Sequence, residues 1–457
     1  MLALLRAVTP GLKFFGNEAC TLVRQSAQRS AGFFLDRRKV MAIKTGVGIM
    51  KTTAVLGAAV LAATAAMAEE KALDGADSPL EMLTEGKFAA DLRYRFEHVD
   101  MENFDKNADA STLRTRVNFT TANWKGLTLM GEVDNVTSIG DDRYNSTENG
   151  QGQYPVVADP EGTDINQAWV KYSGESASGA YGRQRIVHGS QRFVGGVAWR
   201  QNEQTYDGVR LQWGADALAL DYAYVYNINR IFGPDDGAQP ADWHGENHLL
   251  RVNFTPWEGH QFTAFGYLLD IDPQSGYPAG RAEGNGSDTW GLEYGGKLGP
   301  VGVRAAFARQ SDGGQSPLDY SANYYMVEGD IALGPVKALA GYEVLGAGDG
   351  VGFKTPLATL HKFQGWADMF LVTPGDGIED MYLGLSGKLG PVKLAGTWHD
   401  FQAEDSSADF GTELDLVATW PINPKLSLQL KYANFSSDDS SRYADTEKAW
   451  MTVQFKI

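Results

Sequence analysis

Between Gly182 and Arg210 the sequence reads GRQRIVHGSQRFVGGVAWRQNEQTYDGVR, setting Arg183, Arg185, Arg192, Arg200 and Arg210 against only Glu203 and Asp207. A guanidinium is a planar fork of donors that fits a carboxylate or phosphate. Such a concentration therefore suits either the binding of an anion or a ladder of internal ion pairs. Arg93 and Arg95, and again Arg114 and Arg116, repeat the spacing of Arg183 and Arg185, with Lys171 and Arg251 as further cations. Residues two apart share one face of a strand, so this chemistry is tied to extended chain. The full chain carries a formal charge of −17, so these cations are local exceptions in an acidic protein, and that acidity argues against nucleic acid as a partner.

Other chemistries find little support. No G-x-S-x-G motif is present. GLEYGGKL (Gly291–Leu298) imitates a phosphate-binding loop but ends in Leu298 where a hydroxyl is needed, with a Pro turn following where a helix is required. HGENH (His244–His248) has the spacing of a helical zinc pair but lies in a loop entering a strand, where both histidines are expected to be exposed. Cys20 is the one cysteine, so neither a disulfide within one chain nor a cysteine metal site is available. The acid-rich stretches IGDDRY and SSDDSSRYADTE have the composition of calcium loops, and equally of solvated ones. The sequence calls for no catalytic residue, cofactor or metal.

The elements that carry the arginines are strands. KFAADLRYRFEHV places Phe88, Ala90, Leu92, Tyr94 and Phe96 on one face and Asp91, Arg93, Arg95 and Glu97 on the other. TLRTRVNFTT and KLSLQLKYANF alternate in the same way. Period-two segments of about ten residues, apolar on one face and polar or charged on the other, are the signature of a transmembrane β-barrel. A secreted sandwich or solenoid would also alternate, but would not need so many charges on so many strands.

The connections alternate in length. Short turns recur near Asn123–Gly126, Gly174–Gly179, Trp213–Asp216, Thr255–His260, Leu298–Val301, Leu333–Val336, Leu389–Val392 and Pro421–Lys425, three of them LGPV. Longer polar segments intervene at 99–111, 137–162, 188–203, 230–246, 271–287, 310–320, 346–378, 404–410 and 436–446. Eight short turns and nine long loops give eighteen strands with both termini on the periplasmic side, as closure of a single-chain barrel requires.

The barrel is expected over residues 87–457, after a periplasmic segment at 69–86. Residues 41–68 read as a secretory signal peptide, with Lys51, an apolar run at Ala54–Ala63 and an A-x-A site at Ala66–Ala68. Residues 1–40 read as a start-site overcall or leader. The apolar run is shorter than the ~20 residues of a membrane-spanning helix.

With the apolar face toward lipid, Arg93, Arg95, Arg114, Arg116, Lys171, Arg183, Arg185, Arg210 and Arg251 face the lumen, joined by Arg304. Arg192 and Arg200 fall in an outer loop at 189–203, between strands at 180–188 and 204–213, able to fold over or into the pore. Acids in lumen phase are Asp91, Glu97, Glu132, Asp134, Asp221, Glu293, Glu328, Asp330, Glu343, Glu413 and Asp415. A hairpin centred on 99–111 sets Arg95 opposite Arg114 and Arg93 opposite Arg116. Such like-charge pairs need compensation from acids such as Glu132 and Asp134, or from an anionic solute. Arginine ladders also select anions in pores.

Four stretches are similar to the bacterial alginate-export family of outer-membrane channels. They are DINQAWVKY (Asp164–Tyr172), the arginine-rich stretch from Gly182, NRIFGP (Asn229–Pro234) and FKTPLATLHKFQGWADMFLVTPGDGIEDMYLG (Phe353–Gly384). The resemblance implies an eighteen-stranded outer-membrane barrel, passive passage of an anionic saccharide through an arginine-rich constriction, and no catalysis. The implied partners are the lipid bilayer with its lipopolysaccharide, the barrel-assembly machinery and an anionic saccharide or small anionic solute. The alternative reading is a general porin whose lumen charges are paired with one another.

Overall fold

The computed structural model describes residues 75–406 and 408–457. The leader and signal peptide read from the sequence lie outside the described residues. A short helix α1 (Pro79–Thr84) comes first, with Pro79 at its start and Ser78 Oγ accepting from the Glu81 amide at 3.2 Å. Met82 packs with Ala122 and Trp124, and Ala76 N donates to Asn123 O at 2.6 Å. The segment is thereby pinned to the first short turn of the barrel.

The strands are β1 (Lys87–Met101), β2 (Ala108–Thr120), β3 (Leu127–Ser138), β4 (Gly162–Ser173), β5 (Ala177–Gln184), β6 (Thr205–Ala215), β7 (Leu218–Asn229), β8 (Asp242–Trp257), β9 (His260–Leu269) and β10 (Ser287–Leu298). They continue with β11 (Val301–Asp312), β12 (Ser321–Leu333), β13 (Val336–Leu345), β16 (Ile378–Leu389), β17 (Val392–Gln402), β18 (Asp409–Pro421), β19 (Leu426–Ser437) and β20 (Thr446–Lys456). A two-residue ladder of β14 (Ala347–Gly348) and β15 (Val351–Gly352) sits inside one loop. The eighteen long strands pair antiparallel in chain order, and β1 closes the ring on β20. Closure gives every strand two neighbours, which backbone in hydrocarbon demands.

The three LGPV turns show why that tetrapeptide recurs. Gly299, Gly334 and Gly390 adopt φ of 62°, 63° and 58°, and proline supplies the negative φ that follows. Positive then negative φ is the II′ pattern whose twist matches paired strands. Leu292, Val327, Leu385 and Leu430 are exposed along the outer wall. Tyr172, Trp213, Trp257 and Trp420, also exposed, stand next to short turns, as the aromatic belt of a lipid-embedded barrel requires.

Three expectations need correction. Strand β5 stops at Gln184, so Arg185 already belongs to the following loop, 185–204. HGENH lies inside β8, where His244 is exposed but His248 is half-buried, its Nδ1 2.9 Å from Tyr222 Oη. The β1–β2 register is shifted by two residues: Arg93 faces Arg114, Arg95 faces Thr112 and Asp91 faces Arg116. The turn is tighter than expected, because β1 runs on to Met101 and leaves residues 102–107 as the loop. A two-residue shift keeps every side chain on its face, so hydrophobic alternation is blind to it.

An eighteen-stranded barrel is wide enough to enclose an aqueous channel. Here loops 185–204 and 346–377 fold inward as a plug. They cross at a parallel bridge between Val194 and Leu357, where Gly195 N donates to Leu357 O at 2.8 Å and Thr359 N to Gln191 O at 3.0 Å. Phe193, Phe353, Leu357 and Phe370 from these loops pack with Phe265, Tyr324, Phe401 and Trp450 of the wall. The lumen thus has an apolar core of its own.

Candidate functional site

On the β1–β4 wall the predicted arginines are buried and bound. Arg116 forks onto Asp134 at 2.6 and 2.5 Å and reaches Glu203 at 2.8 Å. Arg185 joins the same group, bonding Glu203 at 2.6 Å and Glu132 at 2.5 Å. Arg114 pairs with Asp91 at 3.0 Å. Glu132 and Asp134 therefore provide the compensation expected of them, and Glu203 of the plug adds to it. Burial opposes ionisation of Glu203, but Arg185 and Arg116 hold its carboxyl below the usual range.

Arg93 is different. Its fork meets only neutral acceptors of the plug: Gln201 Oε1 at 3.0 Å, Ala198 O at 2.8 Å and the carbonyl of Arg200. Arg95 donates to the carbonyl of Trp199, lies over the Trp199 ring at 5.2 Å and has Asp159 at 3.8 Å. Gln201, fully buried, donates Nε2 to Thr112 Oγ1 at 2.9 Å while its amide bonds Asp159 at 2.9 Å. Loop residues carry no periodicity, so neither Gln201 nor Asp159 was legible as a wall contact.

The remaining predicted cations are dispersed. Arg183 leaves the cluster and pairs with Asp207 at 2.9 Å and Asp164 at 3.4 Å, because Gly182, at φ 121°, breaks the alternation just before it. Arg210 bonds Asp221 at 2.8 Å and Arg251 bonds Glu293 at 2.5 Å. Lys171 stands on β4 opposite Ala180 of β5, half-buried. Arg192, in the plug, has Nε 2.9 Å from Glu343 Oε1, outside hydrogen-bonding direction, and its guanidinium lies 4.7 Å from the Phe363 ring.

A hub at the centre joins both plug loops to the wall. Trp199 stacks on His361 at 3.4 Å and 12°, with the Arg200 guanidinium 4.1 Å from the Trp199 ring. His361 Nδ1 bonds Asp368 at 2.7 Å, and its Nε2 contacts the Lys431 ammonium. Asp368 also takes Lys448 at 3.1 Å and approaches Arg200 at 3.8 Å. Arg200 in turn pairs with Glu97 at 2.9 Å. Burial, Lys431 and Arg200 hold His361 well below its ordinary value, so it is neutral, donating from Nδ1 and accepting at Nε2. Burial works against ionised Asp368, yet His361, Lys448 and Arg200 hold it far below the usual carboxylate range. His361 and Asp368 lie in the segment 346–378, legible from the sequence as a long polar loop and as part of the family resemblance, with neither residue singled out.

The opposite wall is acidic. Glu413 and Asp415 on β18 accept the plug amides of Ala367 at 2.7 Å and Trp366 at 3.2 Å, and His399 bonds Asp380 at 2.9 Å. Beneath the plug, against β8–β12, lies a cavity of about 540 Å³ that reaches the short β8–β9 turn at Gly259 and His260. Arg192 and Phe193 of the plug are among its lining residues.

Residues 85–332 match the family described as Alginate export. This chain belongs to the alginate export family. Among solved structures it is similar to OccK3 (OpdO) of Pseudomonas aeruginosa, at TM-score 0.62 and 11% identity over 83% of this chain and 97% of that one. OccAB4 of Acinetobacter baumannii gives TM-score 0.62 and 12% identity over 83% and 100%. The outer membrane protein opdK of Pseudomonas aeruginosa gives TM-score 0.61 and 12% identity over 82% and 99%. At such identities the likeness concerns the fold. No curated protein matches the sequence. This alginate-export family member is an outer-membrane β-barrel channel and not an enzyme.

The outer loops of the family member carry a titratable contact. Glu148 of loop 139–161 is wedged into loop 230–241 so closely that a Cβ on Gly233 would fall 2.5 Å from its Oε1. Burial, then Asp235 and Asp236, raise its carboxyl from 4.5 to about 7. An acid raised on folding contributes stability below its unfolded value and loses it as pH climbs through the folded one. The packing of these loops is therefore expected to loosen between about 4.5 and about 7. Hydrogen exchange at 145–149 and 233–238 should rise from pH 5 to pH 8 in the wild type and stay level in Glu148→Gln. Equal pH dependence in both would refute the contact's role.

Proposed function

We propose that this chain is a passive outer-membrane channel for anionic solutes, an anionic saccharide among them, drawn by lumen arginines. The supporting observation is the crowding at the seam of plug and wall. Arg93 faces Arg114 across β1–β2, Arg95 and Arg200 adjoin them, and Arg93 donates only to neutral acceptors. Arg114, Arg95 and Arg200 have Asp91, Asp159 and Glu97 beside them, so it is the Arg93 guanidinium, without a carboxylate bonded to it in a low-dielectric lumen, that would attract anions and repel cations. The same reading takes the chain to a lipopolysaccharide-bearing bilayer through the barrel-assembly machinery.

The second reading, a general porin with structurally paired charges, draws support from Arg116, Arg185, Arg183, Arg210 and Arg251, each bonded to carboxylate. Reversal potentials in planar bilayers separate the two. The anion reading expects chloride preference in the wild type, and a marked fall in Arg93→Gln/Arg95→Gln/Arg114→Gln. Cation preference, or selectivity indifferent to those changes, would favour the porin.

A further inference from the structure

We infer that the outer wall of this barrel carries a binding site for one phosphorylated lipid of the outer leaflet, the lipid part of lipopolysaccharide. An acyl chain would lie in a groove across β8–β11 and a phosphate on Arg309. The site faces the bilayer. It takes its leaflet from the outer-membrane placement of the channel and owes nothing to the anion reading of the lumen.

The groove comes first. It measures about 330 Å³, and no charged side chain lines it. Arg251 and Glu293 bond each other inside the lumen, so the alternate residues Val252 and Leu292 point outward. Ala264 is the floor, between Leu250 and Val252 of β8 and Leu292 and Phe307 of β10 and β11. Trp290 bounds the groove on the side of the long loops, lying over Gly266 so closely that a Cβ there would fall 2.4 Å from the indole. A recess in a lipid-facing wall leaves its lining without van der Waals partners unless a chain enters it.

The charge stands at the matching height. One outward row holds Ala264, Leu292 and Phe307; the next toward the long loops holds Gly266, Trp290 and Arg309; the one beyond holds Asp288 and Ser311. An indole at such a step from apolar to polar marks the membrane–water interface, which sets Arg309 at the level of lipid headgroups. Arg309 is exposed, and its two terminal nitrogens have no acceptor among the described residues. Its Nε donates to Ser321 Oγ at 3.3 Å, which draws the guanidinium toward β12 and away from Asp288 on β10. Asn323, also exposed, stands opposite it. A guanidinium fork takes phosphate through two parallel bonds. An apolar recess beneath an unpaired fork therefore suits an amphiphile, chain below and phosphate above. A neutral lipid would leave the fork unmet, and free phosphate would leave the groove empty. The long loops are the outer ones, so the leaflet at this height is the one that carries lipopolysaccharide.

The test uses the full channel in detergent, stripped of lipid and titrated with lipid A, dephosphorylated lipid A, phosphatidylglycerol or inorganic phosphate, with native mass spectrometry counting what stays bound. Lipid A is expected to be retained one to one, phosphatidylglycerol more weakly, and the other two not at all. Arg309→Gln should weaken retention of lipid A about tenfold, the scale of one lost charge-assisted contact. Ala264→Phe fills the groove with every charge intact and should weaken it at least as much. Both positions are exposed on the outer wall, so both variants should fold, which the heat-dependent migration of the barrel on gels checks. Ion selectivity in planar bilayers should be the same in both as in the wild type. Equal retention of dephosphorylated lipid A, or retention that neither variant changes, would overturn the site. Phosphatidylglycerol held as tightly as lipid A would overturn the assignment to lipopolysaccharide. A second copy of the chain retained in place of lipid, and lost in Ala264→Phe, would make this face a contact between copies and overturn it as well.

Discussion

Excising residues 354–372 raises the unit conductance several-fold. The deletion is sterically simple, because Thr373 Oγ1 already donates to Phe353 O at 2.7 Å, so a two-glycine link joins ends that touch. It removes the whole arm that bridges Val194, stacks His361 on Trp199 and caps Glu413 and Asp415. The barrel keeps its own ladders, since this arm lies wholly between β13 and β16. An eighteen-stranded wall is wide enough for an aqueous lumen, and with this arm gone only loop 185–204 still narrows it, tied to the wall through Arg200 and Gln201. Single-channel recording of the variant beside the wild type checks this. Unchanged conductance would mean that solute bypasses the plug.

The second large effect is expected from Asp368→Asn. The substitution keeps the shape but removes the charge that answers Lys448 and Arg200 and weakens the acceptor of the His361 Nδ1–H. Those groups stay buried, so the cost is of the kind seen when one partner of a buried ion pair is deleted, roughly 3–5 kcal/mol. The loss falls on the docking of the plug and not on the wall. Hydrogen exchange should therefore accelerate at 198–201 and 361–368 while the strands stay protected, and recordings should show frequent large openings. Acid should act in the same direction. Both His361 and Asp368 are held below their unfolded values, so their contribution is complete above the unfolded value and declines as pH falls below it. For His361 that decline begins near 6.5. A plug equally protected in Asp368→Asn and wild type would show that the apolar contacts of Phe353 and Phe370 hold it alone.

The arginine-rich stretch from Gly182 illustrates how far residues can be read before they are folded. Its arginines were legible as lumen chemistry because they sit among period-two strands. Their partners were not. Arg183 and Arg185, two apart in sequence, end with different carboxylates because Gly182 interrupts the alternation and β5 stops at Gln184. Arg192 and Arg200 lie in one loop, yet Arg200 pairs with Glu97 on β1 while Arg192 pairs with Glu343 on β13. Nothing in local spacing separates them.

What the sequence by itself determined is the barrel: eighteen strands, which face of each meets lipid, and which connections are short. Those properties are local, since each strand must satisfy the lipid on one side through its own alternation and each tight reversal needs its own turn residues. What only the tertiary structure decided is which charges remain available to a solute. That depends on a two-residue register between β1 and β2 that leaves every face unchanged, and on two aperiodic loops that meet inside the lumen from 150 or more residues apart. For the two loops no short window of sequence contains both partners, and for the hairpin the window contains both but alternation does not fix which residues face each other.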